Sequence, residues 1–183
     1  MPIKLTWDLL ISVFFIMGIS YGFILQREKI LATILAVYVS WAVSLVWAKP
    51  IFGLLTGKTM VFDQLWFKTD LTLFHVKVGL FVLIVVLLAL KGDFADITRR
   101  IGGSSSPLIV FLYSFLNAGL VLSIIFSFMG PKAMVYLSRV SHLADLVIEY
   151  KNWWIVAPAV VMIVAGFMRG VEIGPPAQQQ DVR

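Results

Sequence analysis

The chain has 183 residues, of which 60% are hydrophobic and 14% charged, with a net charge of +5, a mean hydropathy of +0.95 and no cysteine. A soluble domain carries about 25% charged residues, so a chain of this composition cannot cover a soluble surface. The missing cysteine excludes disulfide and thiol chemistry. The positive balance suits loops beside an anionic membrane surface, and no basic cluster has the form of a nucleic-acid footprint, so no nucleic acid is expected.

Apolar runs near 18 residues are read as membrane spans, because roughly 20 helical residues cross a hydrocarbon core of about 30 Å. The runs here are continuous and do not alternate as barrel strands do. The expected fold class is therefore all-α: a polytopic membrane helical bundle, with four to five transmembrane helices and one amphipathic surface helix. It forms a single domain over residues 1–173, with the bilayer as its solvent.

Span one is expected at about 7–25, with Trp7 and Asp8 at the interface, where aromatics anchor and a carboxylate suits a helix N-terminus. No small-residue cleavage site with a polar region follows this run, so it reads as a retained span and not a removed signal. Gln26–Lys29 then reads as a tight membrane-surface turn. It makes spans one and two an antiparallel hairpin, with span two at about 30–48, ending at Lys49-Pro50. The mixed segment 51–70 reads as interfacial. Span three is expected at about 71–90. The linker that follows ends in Gly-Gly-Ser-Ser-Ser and is flexible, and Pro107 suits the first turn of span four at about 108–129.

Across 132–151, Leu137, Val140, Ala144 and Val147 recur at helical spacing opposite Ser138, His142, Asp145 and Glu149. That pattern predicts one amphipathic helix lying on the membrane or on the other helices. A fifth apolar run, 153–168, contains Pro158 and reads as a short span. The tail 174–183 is expected to be disordered.

Orientation follows the cytoplasmic excess of Lys and Arg. With five spans and the N-terminus outside, seven basic residues lie on each side, so the count is balanced. The Arg99-Arg100 pair and the compact Arg27/Lys29 turn favour the N-terminus outside.

Small residues recur four apart. Gly18 and Gly22 lie in span one. Ala32, Ala36, Ser40, Ser44 and Ala48 lie in span two, Gly119, Ser123 and Ser127 in span four, and Gly166 and Gly170 at the end of the last run. In lipid, small residues let helix backbones approach, and seryl hydroxyls can bond across the contact for about 0.6–2 kcal/mol. This marks Gly18, Gly22, Ala36, Ser40, Ser44, Gly119 and Ser123 as helix-packing positions, against another span or another subunit. A homo-oligomer or a partner membrane subunit is the kind of partner such ridges would take.

Polar groups inside the spans are His75, Lys77 and Asn117. An intramembrane charge is a functional-site hypothesis by default, yet Lys77 lies near enough to the boundary for its stem to snorkel out. His75 reads as boundary packing, and Asn117 as one half of an interhelical hydrogen bond. There is no HExxH, no phosphate-cradling glycine loop and no GxSxG. Asp93/Asp96 and Asp145/Glu149 fall on polar faces. No catalytic constellation, cofactor or metal is therefore expected.

The aromatic-Asp pair opening span one, the small residues Gly18 and Tyr21-Gly22-Phe23, the charged turn with Arg27 and Glu28, and a second span rich in Ala, Ser and Tyr together resemble the colicin V production protein family over roughly residues 7–130. Tyr21 stands where that family often has an arginine, and Ser114, Asn117 and Gly119 replace its glycine-arginine pattern in the fourth span. The resemblance implies a bacterial inner-membrane protein of about four spans, without enzymatic activity, linked to peptide toxin export and envelope maintenance. The expected function is a non-enzymatic structural or accessory component of a membrane assembly. The alternative is a small transporter or channel whose polar path runs past Lys77, His75 and Asn117.

Overall fold

The computed structural model describes residues 6–55, 72–90 and 107–170, with side chains placed for all but 25–28, 90 and 165–170. The expected linker before Pro107, the interfacial segment beyond Leu55 and the tail lie outside the described residues. Among the described residues there are six helices and no strand. They are α1 (Trp7–Leu55), α2 (Leu73–Leu90), α3 (Pro107–Phe128), α4 (Pro131–Val140), α5 (His142–Glu149) and α6 (Lys151–Gly170). Three stretches are long and apolar enough to cross a membrane: Trp7–Ile24, Lys29–Leu55 and Pro107–Phe128. A fourth is reached if α5 and Lys151–Val164, which meet at a 62° bend, count as one broken span. The expected span at 71–90 is represented by a shorter apolar helix, Leu73–Ala89.

The first correction concerns Gln26–Lys29. The backbone there is helical, and α1 carries helical structure for 49 residues. A straight helix of that length would measure about 74 Å and would hold residues 22 and 30 about 12 Å apart along its axis. Instead, Ile30 Cδ1 lies 3.3 Å from where a Cβ on Gly22 would sit. The chain therefore doubles back between these residues, and α1 has two arms, Trp7–Ile24 and Lys29–Leu55. The expected hairpin exists, but a helical corner makes it and not a non-helical turn.

The second arm also runs past its expected end. Pro50 sits inside the helix, which continues to Leu55. Proline costs a helix one backbone hydrogen bond, and Ile51, Phe52, Leu54 and Leu55 keep the apolar run going beyond it.

The arms enclose α3. Along the first arm, Gly22 meets Ser114 and Gly18 meets Ala118, while Ile11 shares a cluster with Leu122 and Phe126. Rising numbers on one helix meet falling numbers on the other, so this pair is antiparallel. On the second arm, Ile30, Leu31, Ile34 and Val37 pack with Val110, Tyr113, Leu120 and Ile124. Helix α2 lies along α1 and reaches the far end of α3, where the Phe81 and Phe128 rings stand edge-on with centroids 6.0 Å apart. As a result α3 buries residues on most of its circumference, from Val110 to Phe128.

The expected single amphipathic helix is two. Ser141 adopts an extended conformation (φ −142°, ψ 120°) and splits it into α4 and α5. The split exchanges a helical position for a cap, since the Ser141 hydroxyl accepts from the Ala144 N–H at 3.0 Å. Of the four predicted apolar positions, Leu137, Ala144 and Val147 are buried. Val140, at the break, is exposed.

Helix α6 is fixed by one polar contact from the second arm. The Tyr38 hydroxyl donates to the Ile155 carbonyl, one turn before Pro158, which lies inside the helix. A proline in a helix removes the N–H that would bond the carbonyl four residues back, here that of Trp154, and Tyr38 bonds the neighbouring carbonyl of Ile155 in the same turn. Tyr38→Phe is expected to cost about 1 kcal/mol and to raise hydrogen exchange around residues 155–160 while α3 stays protected; exchange measured by mass spectrometry in detergent checks this.

Candidate functional site

The sequence-marked residues fall into two groups, which the fold treats differently. The small residues form helix contacts inside the chain. A Cβ on Gly18 would lie 3.0 Å from Ala118 Cβ, and one on Gly22 would overlap the Ser114 hydroxyl. Thus Gly18 and Gly22 on one helix face Ala118 and Ser114 on the other, four apart on both sides. On another side of α3, a Cβ on Gly119 would overlap the Trp154 indole. That indole also meets Phe15 and Phe115, with centroids 5.9 and 5.3 Å away. Three glycines therefore leave room for a hydroxyl, a methyl group and an indole. Gly79 and Gly53 have nothing within 4 Å of an added Cβ.

Ala36, Ser40, Ser44 and Ala48 are all buried within the one chain, as is Ser123. Only Ala32 of the five-residue ridge is half-exposed. The ridge therefore already has its partner inside the molecule. The seryl hydroxyls do not bond across the contacts, contrary to expectation. Ser40 donates to the Ala36 carbonyl at 2.6 Å, and Ser114 to Val110 at 2.7 Å. Both are bonds back to the preceding turn of the same helix, the local option open to serine. Ser44 Oγ and Ser123 Oγ are buried without a hydrogen-bond partner.

The polar residues expected within the spans are not all brought together. His75 is exposed and serves the start of α2: its Nδ1 accepts from the Thr72 N–H at 3.3 Å and lies 2.8 Å from the Thr72 hydroxyl. Thr72 and His75 thus occupy the two places of a capping box, with histidine in place of the usual Glu or Gln. Lys77 is half-buried, and its Nζ lies 5.6 Å from the Phe128 ring centroid, within cation–π range. Phe128 is the last residue of α3, so Lys77 sits at the end of the bundle. Asn117 lies eleven residues earlier on α3, about 16 Å along its axis. Its Oδ1 is buried and has no hydrogen-bond partner.

The long-range polar junction falls instead on Asp8. One carboxylate oxygen accepts from the Ser141 hydroxyl at 2.8 Å and from the Leu143 N–H at 3.0 Å. The carboxylate suits a helix N-terminus, but that of α5 and not of its own helix. Together Asp8 and Ser141 satisfy two of the free N–H groups of α5. Sequence reading had the residue and its chemistry but no means of finding a partner 133 positions away.

Among the described residues no group of three or more His, Cys, Asp or Glu is placed to hold a metal ion. Two shallow grooves lie on the surface. One, about 510 Å³, runs along the apolar outer side of the first arm past Met17, Gly18 and Tyr21. The other, about 570 Å³, lies between α4 and α5 and carries Asp145 and Glu149 at its edge. The chain matches no protein-family model, no curated protein and no solved structure.

Substituting a methyl group into the α1–α3 contact should cost about 1–3 kcal/mol through overpacking, whereas an alanine at an open helical glycine gains about 0.5–1 kcal/mol. Gly22→Ala is therefore expected to lower the thermal midpoint in detergent and Gly79→Ala to leave it unchanged or raise it. Equal effects from the two would remove the close contact as the cause.

Proposed function

We propose that this protein is a non-enzymatic, multi-pass integral membrane protein of the bacterial inner membrane that acts as a structural or accessory component of a membrane assembly, with its N-terminus outside. The observation that carries this reading is the use made of the intramembrane polar residues. His75 caps a helix, Lys77 lies against the Phe128 ring at the end of α3, and Asn117 lies eleven residues back from Phe128, about 16 Å along the α3 axis. His75 and Lys77 stand on one turn of α2, and none of the contacts described links either of them to Asn117. Helix α2, with 18 residues and about 27 Å long, is the further span in this reading. The resemblance to colicin V production proteins supports a role in export or envelope maintenance.

The first arm supplies the surface for a partner. Only Ile11 and Gly22 of its described side chains are buried, whereas Leu9, Leu10, Val13, Ile16, Met17, Phe23 and Ile24 are exposed. Lipid covers that face in the isolated protein, and a second copy or a partner subunit would cover it in an assembly.

The transporter or channel alternative is separated by one pair of variants in liposomes. Lys77→Met is expected to leave ion and solute flux at the level of protein-free vesicles and to leave the fold intact. Ser40→Leu, which puts a large side chain at a fully buried position, is expected to reduce recovery of folded protein. A flux present in the unaltered protein and abolished by Lys77→Met would replace the accessory reading with the transport one.

A further inference from the structure

Helix α4 begins three residues after the end of α3, so its position at that end of the bundle is fixed by connectivity. The start of α1 lies at the same end, because Asp8 is bonded to Ser141 and Leu143, just beyond α4. Two candidate spans, one starting and one ending, therefore terminate beside this helix. If they cross a bilayer, the headgroup layer passes here.

The residues of α4 divide cleanly. Leu137 is its one buried side chain, with Met134 and Ser138 half-buried. Lys132, Val135, Tyr136 and Arg139 are exposed. They stand at i, i+3, i+4 and i+7, which is one face of a helix. That face holds two cations and two apolar side chains, and α4 contains no carboxylate. The exposed acids, Asp145 and Glu149, belong to α5 and line a groove whose α4 side includes Met134, Val135 and Ser138, so Val135 stands where the cationic face meets that groove, and Lys132, Tyr136 and Arg139 lie outside it. Trp7, also exposed, is a second aromatic at this level. A helix in the interface plane carries Lys or Arg at phosphate depth and aromatic or aliphatic groups at the acyl boundary.

We propose that the outward face of α4 is a binding surface for anionic phospholipid. Lys132 and Arg139 meet the headgroup phosphates, while Val135 and Tyr136 enter the boundary below them. The acidic side of α5 faces water. The proposal rests on the membrane reading above and adds to it the lipid class and the residues that recognise it.

The absence of cysteine allows a single label at any site. Val135→Cys, Asp145→Cys and Val13→Cys, each carrying an environment-sensitive nitrobenzoxadiazole dye, would be reconstituted in phosphatidylcholine vesicles with and without phosphatidylglycerol. Lipid-borne spin-label quenchers report contact. The dye at 135 is expected to be quenched several-fold more when phosphatidylglycerol is present, and Lys132→Gln with Arg139→Gln is expected to abolish that difference. The dye at 145 should stay unquenched throughout. Equal quenching at 135 in both vesicles, or a difference that survives loss of the two cations, would overturn the lipid selectivity. The dye at 13, on the exposed side of the first arm, is expected to be quenched in every vesicle. Its failure to quench would overturn the membrane reading and the proposal with it.

Discussion

The closeness of the first arm of α1 to α3 is the constraint on which the other contacts depend. Gly18 and Gly22 meet Ala118 and Ser114 with almost no side chain between the backbones. In a membrane no hydrophobic force draws helices together, since lipid tails are as apolar as leucine, and dispersion across a close contact must serve instead. Dispersion falls away within a fraction of an ångström of optimal separation. A single methyl group at these positions therefore matters far more than a larger change on the outer face of the same arm.

The fold-back of α1 follows from that contact and completes it. Once the first arm lies antiparallel to α3, the corner brings Ile30 against Gly22 and starts the second arm on the other side of α3. The second arm then does two things. It buries the Ala36–Ser40–Ser44–Ala48 ridge within the chain, and it presents Tyr38 to the carbonyl of Ile155. Helix α6 is held between that bond and the seat of Trp154 on Gly119. At the far end, Asp8 joins the first turn of α1 to the start of α5. Among the described residues the bundle is closed by polar contacts between residues more than a hundred positions apart, Tyr38 with Ile155 and Asp8 with both Ser141 and Leu143.

Much of this was legible in the residues. Run length and charge density give an all-helical chain with several stretches able to cross a membrane, because those properties depend on neighbours in sequence alone. The small-residue spacing was legible for the same reason, as any helix puts residues four apart near one another, and Gly18, Gly22 and Gly119 are three of those positions that lie against a neighbouring helix. What periodicity could not give is the partner. It marked Gly119 but not the indole that fills its place, and Asp8 but not the helix whose N–H groups it satisfies. Lys77, His75 and Asn117 were grouped because they are polar within apolar runs, and the fold keeps His75 and Lys77 on one turn of α2 with Asn117 on α3. The break at Ser141 was hidden because the apolar spacing of 137, 144 and 147 carries across it. Serine suits a cap as well as a helix surface, and spacing does not separate the two.

The central claim is that the first arm doubles back and lies against α3 within one chain. It is tested most directly by the disulfide pair Gly18→Cys with Ala118→Cys, in a chain that has no other cysteine. The two Cβ positions are 3.0 Å apart, and a disulfide sets them about 3.5–4.5 Å apart, a change small enough for two helices to absorb. Oxidation in native membranes, followed by electrophoresis without reductant, should give a single intramolecular cross-link that runs as a faster-migrating monomer. A cross-linked dimer in its place, or no cross-link at all, would contradict the account. The glycines of the first arm would then face another molecule or lipid, and not α3 of their own chain.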